Sequence, residues 1–512
     1  MSTGCHGPQQ LKDRIVQSCV HRERDRFIEA IQEDDVCRLA SSHHNGDHCS
    51  FFKPPSRGSY NICYFVRFPS RSSEDVEEWV VRVPLAPCLA EGSRSKLERE
   101  IASMQLVLNE TTIPVPKIYA YNLGDGSQPL SSFVILEYIE GEVFSHARLK
   151  TLSDEQRKRL YTSLADIYIQ LRRLEFPSIG CLAHGPEGFN VPKKITTIDI
   201  NMQELEGLQP SKIQSSFYND RGSLTSANDY VAMLLQIADN AFVEGRNSVS
   251  ERHQGEDALY HLHIFREYVK SWMDCRLDQG PFVLVHGDLE PYNLIVNGNM
   301  DIVSVLDWEW SRVVPLQFFK PPLWLKNPDT TKLAWNFVYR DYLKSLDQFL
   351  EIVRTREREK YGNELLSNGW AKAKEDSGFL VANALENWTD IDWFANRYIN
   401  WKCYKDKGDL DERVKAFMKK DPAHKSLIER KLCEGIVYKV EADRLEDTTI
   451  KSAPDKPASA YATMKHFFLR HICKDAIWVS PTIAQIFLGA AIIITGTSYL
   501  LVKRIYIPLK SC

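Results

Sequence analysis

In the segment Phe282–Ser311, His286, Asp288, Asn293 and Asp307 stand at the ends of apolar runs. His286, Asp288 and Asn293 form H-x-D-x4-N, after the run FVLV and before LIV. Asp307 follows 14 residues after Asn293, at the end of the run IVSVL. Asn297-Gly298-Asn299, between the second and third runs, is a hairpin turn signal. The segment therefore reads strand, polar loop, strand, turn, strand, acid, and a hairpin brings Asp307 back beside Asn293. A carboxylate and an amide oxygen side by side suit a hard cation such as Mg2+, which prefers oxygen ligands and keeps waters and phosphates. A second Asp that binds no metal can accept a hydroxyl proton. These are the working parts of kinase-type phosphoryl transfer: a base, an Asn and a metal-binding Asp.

The elements that must carry these groups are legible around them. Residues 10–40 read as a helix with Ile15, Val16, Cys19, Phe27 and Ile31 on one stripe. YNICYFVRF and EEWVVRV read as strands joined by a polar connection, and KIYAYNL and FVILEYI as two more. Between the pairs, Ser95-Lys96-Leu97-Glu98 is a capping box that opens a helix over residues 95–109. On that helix Ile101, Met104 and Leu108 fall within about 40° of Leu97, and Glu100 lies near about −60°, beside the stripe. After Gly141 the pattern turns helical. A second capping box, Ser153 to Gln156, opens a helix to about Leu174, and others are expected near 226–245, 257–275, 333–357, 366–386 and 409–435. The polar, irregular stretch 186–225 reads as an insertion or a substrate-side loop.

HGDLEPYN and LDWEW resemble the catalytic loop and the metal-binding motif of the aminoglycoside phosphotransferase and choline-kinase-like family, a branch of the protein-kinase-like superfamily. FPSIGCLA and WVVRVP look like its fungal-type members. The resemblance implies an α+β, bilobal protein-kinase-like fold with a strand-rich N-lobe and a helical C-lobe. It implies ATP and Mg2+ as cofactors and a small-molecule hydroxyl as acceptor. By it, Asp288 is the catalytic base, Asn293 and Asp307 hold the metal, and His286 braces the loop. Ser56-Arg57-Gly58-Ser59 stands at the glycine loop, so Gly58 and Ser59 are expected at the phosphates. Arg82 stands where the family usually has lysine; an arginine is still a fixed cation able to meet phosphate and carboxylate together. Glu100 is the acid expected to hold it. The stretch from Glu137 to Ile139 is the expected hinge, with its backbone toward the adenine. A non-enzymatic reading stands beside this one: a membrane-tethered pseudokinase or nucleotide-binding module, motivated by Arg82 and the single glycine.

Composition bounds the rest. The 512 residues are 43% hydrophobic and 26% charged, with a net charge of −4 and no long basic run, which argues against a nucleic-acid partner. Twelve Cys without a repeated spacing read as reduced thiols. Cys37, His43, His44, His48 and Cys49 lack the paired spacing of a zinc site and read as an exposed loop. Trp308, Trp310 and Trp324 are candidates for a substrate-pocket wall or for core. The N-terminus has no apolar signal region. Ile483–Val502 is mostly apolar, about the 20 residues of a membrane-crossing helix. This reads as a transmembrane tail anchor with the rest of the protein facing the cytosol, on the mitochondrial outer membrane or endoplasmic reticulum. The expected organisation is an N-terminal helical extension (1–45), N-lobe (46–140), C-lobe (141–440), linker (441–475), anchor (476–502) and short tail (503–512).

Overall fold

The computed structural model describes residues 13–69, 76–185, 188–219, 222–326, 329–405 and 407–452. The N-terminal stretch forms two helices, α1 (Arg14–Glu29) and α2 (Glu33–Ser42), rather than one. Asp13 caps α1, its Oδ1 accepting from the N–H groups of Ile15 and Val16. Three acids, Glu33, Asp34 and Asp35, open α2, where the helix dipole favours negative charge.

Five antiparallel strands follow: β1 (Ser50–Arg57), β2 (Asn61–Phe68), β3 (Glu77–Pro84), β4 (Ile118–Leu123) and β5 (Ser132–Glu137), in the order β1-β2-β3-β5-β4. β1 tolerates Pro54 and Pro55 because it is an edge strand with shifted register. Between β3 and β4 runs α3 (Gly92–Glu110). It starts before Ser95, at the turn made by Gly92 (φ +79°), so Ser95 lies inside the helix and makes no capping box.

Strand alternation sorts the sheet's two faces. Ile62, Tyr64, Val66 and Phe68 of β2, with Trp79, Val81 and Val83 of β3, pack in one core with Val36 and Ala40 of α2. Val134 and Leu136 of β5 face the other way, into the main core shared with α3. Arg82 has the opposite parity to Val81 and Val83, which puts it on the α3 side.

The C-lobe begins with β6 (Glu142–Val143), α4 (His146–Lys150) and α5 (Asp154–Arg172). The capping box of Ser153 and Gln156 opens α5, both bonds being present. β7 (Glu175–Phe176) is followed by a hairpin, β8 (Cys181–Gly185) and β9 (Gly188–Lys193), and by α6 (Ile198–Leu205) and α7 (Pro210–Ser215). The stretch read as an irregular insertion is therefore structured. Two long helices, α8 (Ala227–Glu244) and α9 (Arg252–Trp272), precede the strands β10 (Phe282–Val285), β11 (Leu294–Val296), β12 (Ile302–Val305) and β13 (Arg312–Pro315). The remainder is helical: α10 (Asn336–Tyr361), α11 (Leu365–Asp376), α12 (Gly378–Glu386), α13 (Trp388–Phe394), α14 (Asn400–Tyr404), α15 (Leu410–Lys420) and α16 (Pro422–Ser452). A strand-rich lobe followed by a helical lobe with an inserted hairpin is the expected bilobal arrangement.

Two further expectations change. α16 continues to Ser452, past the point where a linker was expected to begin. The transmembrane helix is withdrawn from the fold, and the membrane placement with it: among the described residues no helix is long and apolar enough to cross a membrane. The apolar run itself lies outside the described residues. The chain divides into a unit of Met1–Asp443, which holds both lobes, and a second unit, Arg444–Cys512.

Candidate active site

β10 delivers the polar loop directly from the core. Gly287 turns it with φ +85°, and a Cβ there would stand 2.1 Å from the Trp310 carbonyl oxygen. His286 is buried, and its Nε2 lies 2.8 Å from the Leu306 carbonyl oxygen. Its Nδ1 accepts from the Asp288 N–H at 3.3 Å. That pair of bonds selects the neutral Nε2–H tautomer, and burial pushes the imidazole down to about 4, which keeps it neutral. His286 thus ties the loop to the strand that carries Asp307.

Asp288 meets two donors. The Tyr292 hydroxyl donates to Oδ1 at 2.8 Å, and Asn293 Nδ2 donates to Oδ2 at 3.1 Å and to the Asp288 main-chain oxygen at 2.7 Å. Burial pushes the Asp288 carboxyl up to about 7; the Asp307 carboxylate adds to the rise, and the Tyr292 and Asn293 bonds restrain it.

The β11–β12 hairpin returns the chain as expected. Asn297 Oδ1 accepts from the N–H groups of Asn299 and Asp301 in the turn, and the Leu306 N–H donates to the Asn293 carbonyl at 2.8 Å. Asp307 follows in a left-handed conformation (φ 62°, ψ 56°), strained for a residue with a side chain. Its carboxylate remains 40% exposed, whereas Asp288 is half-buried and Asn293 buried.

The N-lobe supplies a buried charge cluster. Arg82 bonds Glu100 through Nη1, and its Nη2 lies 2.6 Å from Asp307 Oδ1 and 3.4 Å from Glu309 Oε2. Glu309 and Lys96 complete it, and neither was singled out from sequence. Lys96 Nζ stands 2.6 Å from Glu100 Oε2, 2.7 Å from Glu309 Oε2 and 2.6 Å from Asn61 Oδ1. Asn61 Nδ2 in turn donates to Glu309 Oε2 at 2.8 Å. Burial pulls the Lys96 amine down to about 8, with Arg82 adding to the fall. Burial alone would raise Glu309, but Lys96, Arg82 and Asn61 hold it at about 2. The one available signal for Lys96 was its place four residues before Glu100. It falls about 100° from Leu97, a solvent position on a half-exposed helix. Here α3 is packed on more than one side, and Lys96 is buried.

The remaining expected residues are placed as follows. Gly58 and Ser59 form the turn between β1 and β2, where the Gly58 N–H donates to the Asn61 carbonyl at 2.9 Å. At the hinge, the Glu137 N–H is taken by Lys117 O and the Tyr138 N–H by Glu78 O. Trp308 and Trp310 are fully enclosed and belong to core, whereas Trp324 lines a cavity and donates through Nε1 to Leu289 O at 2.8 Å. The His-rich stretch 43–49 is a turn and loop with His43 and His48 exposed, as expected, and His44 anchors it by stacking on Phe68 at 3.8 Å and bonding Asp47 and Glu77. No group of three or more His, Cys, Asp or Glu positioned for a metal occurs among the described residues.

A cavity of about 190 Å3 adjoins Asp288 on the C-lobe side, walled by Tyr168, Phe318, Pro322 and Trp324. Glu290 borders it, pushed up to about 8 by burial and by Asp288. Its far side is closed by Glu386, which bonds both Arg312 and Lys320, the latter at 2.6 Å.

The profile of the phosphotransferase enzyme family matches residues 52–318, over half of the 512. The chain belongs to that family. The span matched by the phosphotransferase family runs from β1 past β13 and includes every residue of the loop, the hairpin and the charge cluster. Among curated relatives, clavilactone A biosynthesis cluster protein Y of Ampulloclitocybe clavipes is 24% identical over 280 residues, 52% of this chain and 64% of that protein. Altered inheritance of mitochondria protein 9 of Zygosaccharomyces rouxii is 27% identical over 350 residues, 56% of this chain and 55% of that one. The chain thus spans less than two thirds of either relative. Similar solved structures include an ADP-bound aminoglycoside phosphotransferase, 13% identical with a TM-score of 0.38 over 79% of this chain and 99% of the other. A macrolide 2'-phosphotransferase is 15% identical with a TM-score of 0.36 over 72% and 98%. Neither likeness is close enough to bear on the site.

Proposed function

We propose that this phosphotransferase moves the γ-phosphoryl group of ATP to a hydroxyl of a small molecule. The observation that carries the reading is the convergence of Asp288, Asn293 and Asp307 at one hairpin, with Arg82 reaching Asp307 from the other lobe. Asp288 takes the acceptor proton. Its carboxyl, lifted toward neutrality, is suited to a base that must hold and release a proton near physiological pH. Asn293 commits its amide nitrogen to Asp288, which leaves its oxygen for a cation, and Asp307 keeps one carboxylate oxygen clear of Arg82. One carboxylate and one amide fit Mg2+ better than a metal held by a protein cage, because Mg2+ fills its shell with waters and phosphates. Bound there, Mg2+ supplies charge neutralisation on the phosphates. Arg82, backed by Glu100, faces the same phosphates; Gly58 and Ser59 cover them, and the Ile139 N–H meets the adenine edge. The acceptor enters the cavity beside Asp288, which admits a small molecule.

The test is Asp288→Asn. Turnover of ATP against a library of small hydroxyl compounds should vanish while ADP affinity stays within a few fold, because the chemistry is positioning and charge neutralisation. Undiminished turnover in the variant would sink the assignment. A second reading, a nucleotide-binding module without turnover, is favoured by one observation: both terminal nitrogens of Arg82 are engaged by acids. A thermal shift with ATP and Mg2+ but no turnover across the library would select it.

A further inference from the structure

Three N-lobe donors converge on a single oxygen, Oε2 of Glu309: Lys96 Nζ at 2.7 Å, Asn61 Nδ2 at 2.8 Å and Arg82 Nη2 at 3.4 Å. The same Arg82 nitrogen stands 2.6 Å from Asp307. Arg82 therefore has two competing carboxylates on one nitrogen, one buried behind it and one exposed in front. The asymmetry of the distances shows which wins. Lys96 neutralises Glu309, so Arg82 Nη2 is free to sit at Asp307. Glu100 is shared in the same way, one oxygen to Arg82 and the other to Lys96 at 2.6 Å.

We propose that Lys96 is a positioning residue: by holding Glu309 and Glu100 from behind, it keeps the Arg82 guanidinium forward, at Asp307 and the nucleotide phosphates. A guanidinium has several donors and would be drawn to whichever buried carboxylate lacked a partner. Without Lys96, the Glu309 carboxylate would keep only the Asn61 amide and the long 3.4 Å contact with Arg82, and a buried charge so thinly partnered draws its remaining cation closer or loses its ionisation. Arg82 is the cation beside it, and it needs to close only about 0.5 Å to reach ordinary bonding distance. Closing that gap withdraws it from Asp307.

The inference rests on the nucleotide reading above, and its test separates the two. ADP affinity of the full chain is measured by calorimetry, with Mg2+ and with chelator, for the wild type, Lys96→Met, Glu309→Gln and the double variant. Lys96→Met should bind ADP at least about tenfold more weakly. Glu309→Gln removes the competing carboxylate and should bind within about threefold of wild type, although it too breaks the pair. The double variant should recover the affinity that Lys96→Met loses. A merely structural ion pair would give equal losses whichever partner is removed. Equal losses in the two single variants, wild-type affinity in Lys96→Met, or weak binding by the double variant would each overturn the proposal. The double variant keeps the test decisive if Lys96→Met does not fold. Failure of the wild type to bind ADP would overturn the nucleotide reading and this inference together.

Discussion

Asn293 clasps Asp288 twice, its amide nitrogen donating to the Asp288 main-chain oxygen at 2.7 Å and to the carboxylate at 3.1 Å. One side chain thereby fixes both the path of the loop and the direction of the acid. Asn293→Ala should leave both acceptors without that donor and lower ATP turnover by about 10- to 100-fold, the usual cost of losing a group that orients a site. A coupled assay of ADP release reads the loss; retention of full turnover would show that the clasp is dispensable.

Tyr292 is 46% exposed, yet its hydroxyl bonds Asp288 at 2.8 Å. The bond favours the ionised carboxylate and so holds its pKa down. Removing it raises that pKa. Because a base must be ionised to act, the acid limb of the pH–rate profile should move to higher pH in Tyr292→Phe. A limb that stays in place or moves to lower pH would contradict the arrangement.

Gly287 is required twice over, by its φ of +85° and by the Trp310 carbonyl 2.1 Å from where a Cβ would stand. Gly287→Ala forces backbone to move against backbone. The expected destabilisation is at least about 2 kcal/mol, with turnover lost as the loop shifts. Chemical denaturation gives the first figure, and the ADP-release assay the second.

Glu386 provides a pH signature away from the hairpin. Burial would raise its carboxyl, but Arg312 and Lys320 hold it at about 2, below its ordinary value of 4.5. A depressed folded-state pKa contributes stability that is fully present above the unfolded value. That contribution is lost as pH falls from about 4.5 toward about 2. Glu386→Gln should be less stable near neutrality by about 3 kcal/mol, because Arg312 is buried and loses its carboxylate. The gap to wild type should narrow on acidification. Urea unfolding from pH 6 to 3 measures it, and a gap constant with pH would refute the pairing.

Much of the catalytic-type arrangement was legible because it is local. His286 to Asp307 is one continuous segment, and a turn signal in the middle says that its ends meet. The pairing of Arg82 with Glu100 was also accessible, since strand parity and helix phase each select one face. Elements whose signals conflict were harder. β1 contains Pro54 and Pro55, which read as a break but are tolerated at a sheet edge, and α1 and α2 merge into one apolar periodicity unless the three acids at residue 33 are taken as a start.

What the residues alone determined is the set of groups on offer: a carboxylate and an amide on one loop, an acid across a hairpin, a cation and its carboxylate. What only tertiary packing decided is which charges share a space. Lys96 reads as a solvated lysine until α3 is enclosed between sheet and C-lobe, and Glu309 reads as the spare acid of LDWEW until three N-lobe donors close on it. Glu386 is separated from Arg312 by 74 residues of chain. Helical and strand periodicities carry information only along the backbone. Burial, and the pairing of charge that burial compels, arises where distant segments meet, and it is there that Arg82 is held among Glu100, Glu309 and Asp307.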